Sequence, residues 1–262
     1  MALRGERFVA AAVRAVRPRW HDARTREQAA RYWSATGSDV SWKSNSHWRD
    51  GIGDQAFEEI GRDHWLIYQR FARALRIQAP GRVIEWGAGG GANAAAFAPR
   101  AQGFIAADIS LDNLAECARQ VKSACSTPLE TRRIDLSNPA AAADGLQDAC
   151  DTFLCLYVIE LTVGVEAVRS ILGIAQRVLR PGGMAFVQMK YHTGESYTRG
   201  WRGLAYTRNL ASTTTFTIEE FWRLADECGL SPQLIYLVPH NRLDSRYAYY
   251  ALIKPEADAE PW

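Results

Sequence analysis

The stretch Arg82-Val-Ile-Glu-Trp-Gly-Ala-Gly-Gly-Gly-Ala-Asn93 decides how the rest of this chain is read. Val83 and Ile84 read as the end of a buried strand. Glu85 follows, then Gly87, Gly89 and Gly91 at alternate positions, then an alanine-rich run to about Phe97 that reads as a helix. A strand that halts in glycines and resumes as a helix turns backbone N–H groups, and the positive end of the helix, toward one point. Side chains would keep a ligand off that backbone, which is why the bend requires glycine. A nucleotide-binding turn is expected here.

Two ligand classes compete for it. Gly87-x-Gly89-x-x-Ala92 satisfies the permissive dinucleotide fingerprint. Glu85 argues the other way, because a carboxylate repels a pyrophosphate and suits a ligand that bears an ammonium group. With it the pattern becomes Glu85-x-Gly87-x-Gly89-x-Gly91. That pattern resembles the first motif of class I S-adenosylmethionine-dependent methyltransferases. Later segments fall in the order of that family. Gly103–Ala107 reads as a second strand with Asp108 at its tip, where a carboxylate can accept from both ribose hydroxyls. Arg133-Ile-Asp-Leu136 reads as a strand end, and Asp151–Glu160 as a central parallel strand. Ile171–Leu179 has helical periodicity, and Arg180-Pro-Gly-Gly183 is a helix stop before the apolar Met184–Met189. Thr217 with Glu220 fits a capping box, Gly229 a helix stop, and Tyr247–Ile253 a last strand that runs antiparallel in the family.

The resemblance implies an α/β fold: a doubly wound, mostly parallel seven-stranded sheet with an N-terminal helical lid. Residues 1–78 would be the helical segment and lid, 79–255 the Rossmann-like domain, 190–212 an insertion on the acceptor side, and 256–262 a tail. The implied cofactor is S-adenosyl-L-methionine. Glu85, Gly87, Gly89 and Gly91 would hold it, Glu85 at its amino-acid end; Asp108 would hold its ribose, and Ile109 would contact it too. Asp135 would bond the adenine amino group beside Leu136, and backbone near Cys155 would face the methionine part.

Composition bounds the function without choosing it. The 262 residues carry a net charge of +2, so no global field draws the chain to nucleic acid or anionic membrane. Five cysteines without metal-ligand spacing fit reduced thiols and a cytoplasmic location, and no catalytic metal is indicated. No run has the length of a membrane span, and the N-terminus lacks the apolar segment of a signal peptide. Residues 3–17 wind into a basic amphipathic helix, Val9, Val13 and Val16 on one face and Arg4, Arg7, Arg14 and Arg17 on the other. Its valines would pack on the domain or on a second subunit of a homo-oligomer, with a membrane surface as the alternative.

Residues 31–65 hold Trp33, Trp42, Trp48 and Trp65, with Lys43, Asn45, His47 and Arg49 interspersed. Polar groups so crowded among aromatics point to a lid that closes over cofactor and acceptor. Asp54 can cap the helix that follows, on which His64 shares a face with Phe57, Ile60, Ile67 and Phe71. Methyl transfer to an alcohol needs aligned reactants and a proton acceptor. The histidine that many relatives carry after the fourth strand is absent, because Leu161 follows Glu160. The candidate bases are His192, at the end of the fifth strand, His47 in the lid, and His64, which also reads as a satisfied core residue. Tyr191, Tyr197, Arg199, Trp201, Arg202, Tyr206 and Arg208 would wall the acceptor, a small molecule or a glycan end. The expected activity is O-methylation of a sugar or specialised metabolite. N-methylation, a nicotinamide-dependent reductase and a non-catalytic cofactor-binding scaffold are the alternatives.

Overall fold

The structure, a computed structural model, describes residues 19–36, 40–193, 195, 198–200, 206–208, 210–240 and 245–256. The expected helix over 3–17 and the expected acceptor residues Tyr197, Trp201 and Arg202 lie outside these.

Among the described residues, four helices precede the sheet: α1 (Arg19–Trp33), α2 (Val40–Asn45), α3 (Arg49–Ile52) and α4 (Asp54–Ala74). The sheet contains β1 (Arg82–Trp86), β2 (Gly103–Asp108), β3 (Leu129–Arg133), β4 (Cys150–Cys155), β5 (Leu179–Lys190), β6 (Ser231–His240) and β7 (Ser245–Ile253). Helices α5 (Ala92–Phe97), α6 (Leu111–Ala124), α7 (Val165–Val178) and α8 (Ile218–Glu227) connect them. Strand order is β3-β2-β1-β4-β5-β7-β6, parallel except for β7, which runs antiparallel to both neighbours. This is the doubly wound sheet expected from the sequence.

Alternation along each strand builds two apolar layers. Ile84, Ile105 and Phe153 face α7 and α8 on one side. Val83, Phe104 and Leu154 face Tyr68 and Phe71 of α4, Phe97 of α5 and Val121 of α6 on the other. Strands buried on both faces explain the continuous apolar runs. Register then fixes the site, since Glu85 pairs with Ala106 and Leu154, and Asp108 with Arg133. The tips of β1, β2, β3 and β4 therefore share one edge, beside the point where strand order reverses.

Local chemistry explains several boundaries. Thr217 and Glu220 form the capping box, each bonding the other's backbone N–H at 3.0 and 2.9 Å. Asp54 is the first residue of α4 and makes no cap bond; its carboxylate pairs with Arg49. The run 151–160 is only half strand. It leaves the sheet at Cys155 and turns at Tyr157, whose φ is 56°. Leu179-Arg-Pro-Gly-Gly183 does end a helix, but it already belongs to β5, with Leu179 paired to Cys150. Of the stretch that suited neither a long helix nor a strand, the described residues from Val40 on form the two short helices α2 and α3, joined by residues 46–48. Among the described residues no helix is long and apolar enough to cross a membrane.

Candidate functional site

A cavity of about 410 Å³ opens over the shared strand edge, within the range of roughly 300–1,000 Å³ typical of small-molecule sites. Its floor is the glycine turn with Asp108, Ile109 and Asn93. One side is apolar: Ile134, Leu136 and Pro139. The other is made by Leu156–Val158 after β4 and by the start of α7. Segments outside the sheet close it, namely α1 (Arg26, Ala29, Trp33), Asn45–His47 and Tyr206.

The glycine turn serves close approach rather than anion binding. Gly87 and Ala88 donate to Ala107 O, Gly89 to Asp108 Oδ2, Gly90 to Ser46 O and Gly91 to Ala88 O. Every N–H from 87 to 91 thus has a protein acceptor, and none remains for a pyrophosphate, which weighs against the dinucleotide fingerprint. The expectation that these N–H groups point at the ligand is overturned by the same bonds. What requires glycine is space. Gly89 has φ 52°, and a Cβ there would lie 2.5 Å from Ser46 O; at Gly90 it would lie 2.6 Å from Trp48 Cα. The backbone of residues 46–48 rests directly on the turn.

Asp108 is the most constrained carboxylate of the cavity wall. Oδ1 accepts from Ser110 N and Asn113 Nδ2, and Oδ2 from Gly89 N, all at 2.9 Å. Burial pushes its pKa up while these bonds oppose the shift. Asn113 in turn accepts from the Trp48 indole at 2.7 Å, tying the N-terminal cap to the tip of β2. Arg49 continues the seam, donating to Gln120 at 3.0 Å and lying over the Phe57 ring. Local pairing also accounts for Lys43, with Asp50, and Asn45, with Tyr32.

Other expected cofactor residues fall differently. Glu85 is fully buried behind the wall; Asn93 stands between it and the cavity, donating to Glu85 Oε1 at 2.9 Å. Glu85 Oε2 is buried with no partner among the described residues, and burial lifts the carboxyl to about 8. Asp135 does not line the cavity. It is solvent-exposed, and its Oδ1 accepts from both the N–H and the hydroxyl of Ser137, a local turn that also lowers its pKa. Its neighbours Ile134 and Leu136 form the wall instead. The Cys155 side chain is in the core, and the cavity begins one residue later.

The three histidines separate by their bonds. His192 lies outside the cavity: its Nε2 is 3.4 Å from Glu220 of α8, and its N–H donates to Phe216 O. His64 bonds through both ring nitrogens, Nδ1 to Asn93 and Nε2 to Tyr249. His47 alone of the three lines the cavity, and neither of its ring nitrogens is hydrogen-bonded among the described residues. Its φ of 54° is left-handed, a conformation that costs a non-glycine residue about 1–3 kcal/mol and gathers at functional sites. Tyr157 shares that conformation and lies between His47 and His64, 5.1 Å from each ring centroid. Burial, helped by His64, lowers His47 to about 4; burial alone brings His64 there too.

Residues 83–183 match the family described as a methyltransferase domain. That segment is a methyltransferase domain, and the sheet around it has the fold of class I methyltransferases. The ubiquinone biosynthesis O-methyltransferase of Rhizobium etli is 29% identical over 160 residues, covering 61% of this chain and 58% of that protein. The chain thus spans less than three fifths of the curated relatives it matches. Among solved structures, the N-methyltransferase NodS of Bradyrhizobium japonicum, in complex with S-adenosyl-L-homocysteine, has a TM-score of 0.56 at 14% identity, covering 74% of this chain and 87% of that one. The [4+2]-cyclase SpnF reaches 0.57 at 16%, covering 74% and 80%. At such identities the likeness is one of fold, and fold alone does not choose the reaction.

Of the residues expected to wall an acceptor, Tyr206 lines the cavity, beside Trp33 of α1. Tyr206 accepts from the Trp33 indole at 2.7 Å and donates to Leu161 O at 2.8 Å, so both aromatic residues turn apolar surface to the cavity. Tyr191 packs against the core, and Arg199 is exposed. Asn93 was missed, although a single polar residue inside Ala92-Asn-Ala-Ala-Ala-Phe97 is a legible signal.

Proposed function

We propose that this protein uses S-adenosylmethionine to methylate an oxygen of a small molecule. One observation carries the proposal: a single cavity runs from the Asp108 carboxylate to an imidazole, His47, with no hydrogen-bond partner among the described residues. The residues suit the cofactor. The glycine bend keeps side chains off the floor, Asp108 retains acceptor capacity for a ribose diol, and Ile109, Ile134, Leu136 and Pro139 offer an apolar slot for a purine.

When bound, S-adenosylmethionine supplies an electrophilic methyl group on a sulfonium whose positive charge is extinguished by transfer. The chain supplies alignment, exclusion of water and a proton acceptor. Trp33, Ala29 and Tyr206 cover the acceptor end. His47, near 4, is neutral at pH 7 and able to take the hydroxyl proton. Its low basicity is offset because the charge it gains replaces one lost in the same step.

The test is mass spectrometry of products after incubation of protein, extract of the source organism and methyl-labelled cofactor. A labelled methyl ether is expected. His47→Ala should lower turnover about 10²–10⁴-fold while S-adenosylhomocysteine affinity stays within about threefold. Undiminished turnover in that variant removes the base and with it the argument for oxygen.

A further inference from the structure

The acidic residue of the glycine motif does not face the cavity; an amide stands in front of it, and a chain of buried groups fixes that amide. Asn93 Nδ2 donates to Glu85 Oε1, the carboxyl oxygen accepting. In that orientation the amide oxygen is turned to the histidine. That oxygen, Oδ1, therefore accepts, and the group 2.7 Å away, His64 Nδ1, carries the proton. With its single proton on Nδ1, neutral His64 must accept at Nε2, and Tyr249 O–H donates to it at 2.9 Å. Four residues on four elements, β7, α4, α5 and β1, thus form a one-way relay: Tyr249 to His64 to Asn93 to Glu85. All four are buried, His64 to 2% exposure and Glu85 to 0%.

We propose that His64 is a positioning residue for the cofactor, locking the Asn93 amide so that it presents a defined face at the methionine end of the cavity and holds Glu85 behind it. The inference rests on the proposed function above. Three observations argue for it beyond packing. Asn93 lines the cavity, whereas Glu85 and His64 do not. Glu85 Oε2 is buried without a partner among the described residues, so the carboxyl can meet a polar group that Asn93 admits. His64 also lies against Tyr157, which meets His47 as well, so one ring touches both histidines.

The chemistry designs its own control. An asparagine at 64 places an N–H donor where Nδ1–H stands, and a leucine fills the volume with no donor. The measurement is isothermal titration of S-adenosylhomocysteine into the full chain carrying His64→Leu, His64→Asn or Tyr249→Phe, with a thermal melt of each. His64→Leu should weaken binding about tenfold or more, and His64→Asn should recover most of that loss at a melting temperature no higher than the leucine variant's. Tyr249→Phe, an isosteric change expected to fold, should weaken binding about threefold, because His64 then loses the partner that fixes its tautomer. Affinity equal to that of the unsubstituted protein in Tyr249→Phe, or equal affinities in the leucine and asparagine variants, overturns the relay and leaves the proposed function standing. Failure of the unsubstituted protein to bind S-adenosylhomocysteine overturns both.

Discussion

The two halves of the cavity are built on different principles. On the cofactor side, each wall residue is placed by strand register and a turn a few residues long: Gly87 and Asp108 sit at the tips of adjacent strands. On the acceptor side, position depends on side chains that meet across the chain, Trp33 with Tyr206 and Trp48 with Asn113. The first half is set by the sheet, the second by whatever the additions to the sheet happen to reach. The first should give way only where a strand-tip residue or its turn is altered, and the second wherever a single long-range bond is lost.

Asp108→Ala strikes the first half hardest. It strands three donors, Gly89 N, Ser110 N and Asn113 Nδ2. S-adenosylhomocysteine binding should fall at least about 100-fold, and calorimetry should show a stability loss of about 3 kcal/mol. Gly89→Ala tests whether the cap and the turn are one unit. It places a Cβ against the Ser46 carbonyl at a left-handed φ, with a cost of about 2–4 kcal/mol. Limited proteolysis should open residues 40–53 before the sheet melts. Simultaneous loss of both, or of neither, blurs the division between the halves.

Trp48→Phe cuts one cap-to-core bond without changing the fold of the sheet. Cofactor affinity should weaken about fivefold to tenfold through Asn113 and Asp108, read by titration calorimetry. Tyr206→Phe is the smallest change. It removes the donor to Leu161 O and the acceptor for Trp33. It should raise the acceptor KM about threefold and leave kcat and cofactor affinity alone.

Stability against pH separates the buried groups. Glu85 is raised from 4.5 to about 8, so its contribution is full below about 4.5 and is lost as pH climbs through 8. Asp108, also raised, falls in the same direction. His47 and His64 are lowered from 6.5 to about 4, so the stability they contribute is full above 6.5 and is lost as pH drops through 4. The ligand-free protein should therefore be most stable near pH 6.5, with melting temperature falling on either side. Glu85→Gln should flatten the alkaline side, and a profile that keeps rising to pH 8 contradicts the burial of that carboxyl.

The capping box and the glycine bend were legible because each depends on residues close in sequence, and the doubly wound sheet because its motifs fall in the order of a known family. Asp108 was legible for the same reason, as a carboxylate at a strand tip. Asp135 misled because Asp-x-Ser is an Asx turn that satisfies itself before any ligand arrives. His192 misled because position at a strand end does not say which way a side chain turns, and α8 with Glu220 claims it. The aromatic and polar residues of 31–65 stood out as a cluster, yet their places rest on partners such as Asn113 and Gln120 that no local pattern reveals. Segments 1–18, 201–205 and 257–262 lie outside the described residues.

A crystal structure with S-adenosylhomocysteine tests the account most directly. The ribose hydroxyls should lie on Asp108, the purine between Ile109 and Leu136, and the thioether within reach of a hydroxyl placed at His47. Nucleoside bound away from Asp108, or a thioether pointing away from His47, contradicts it.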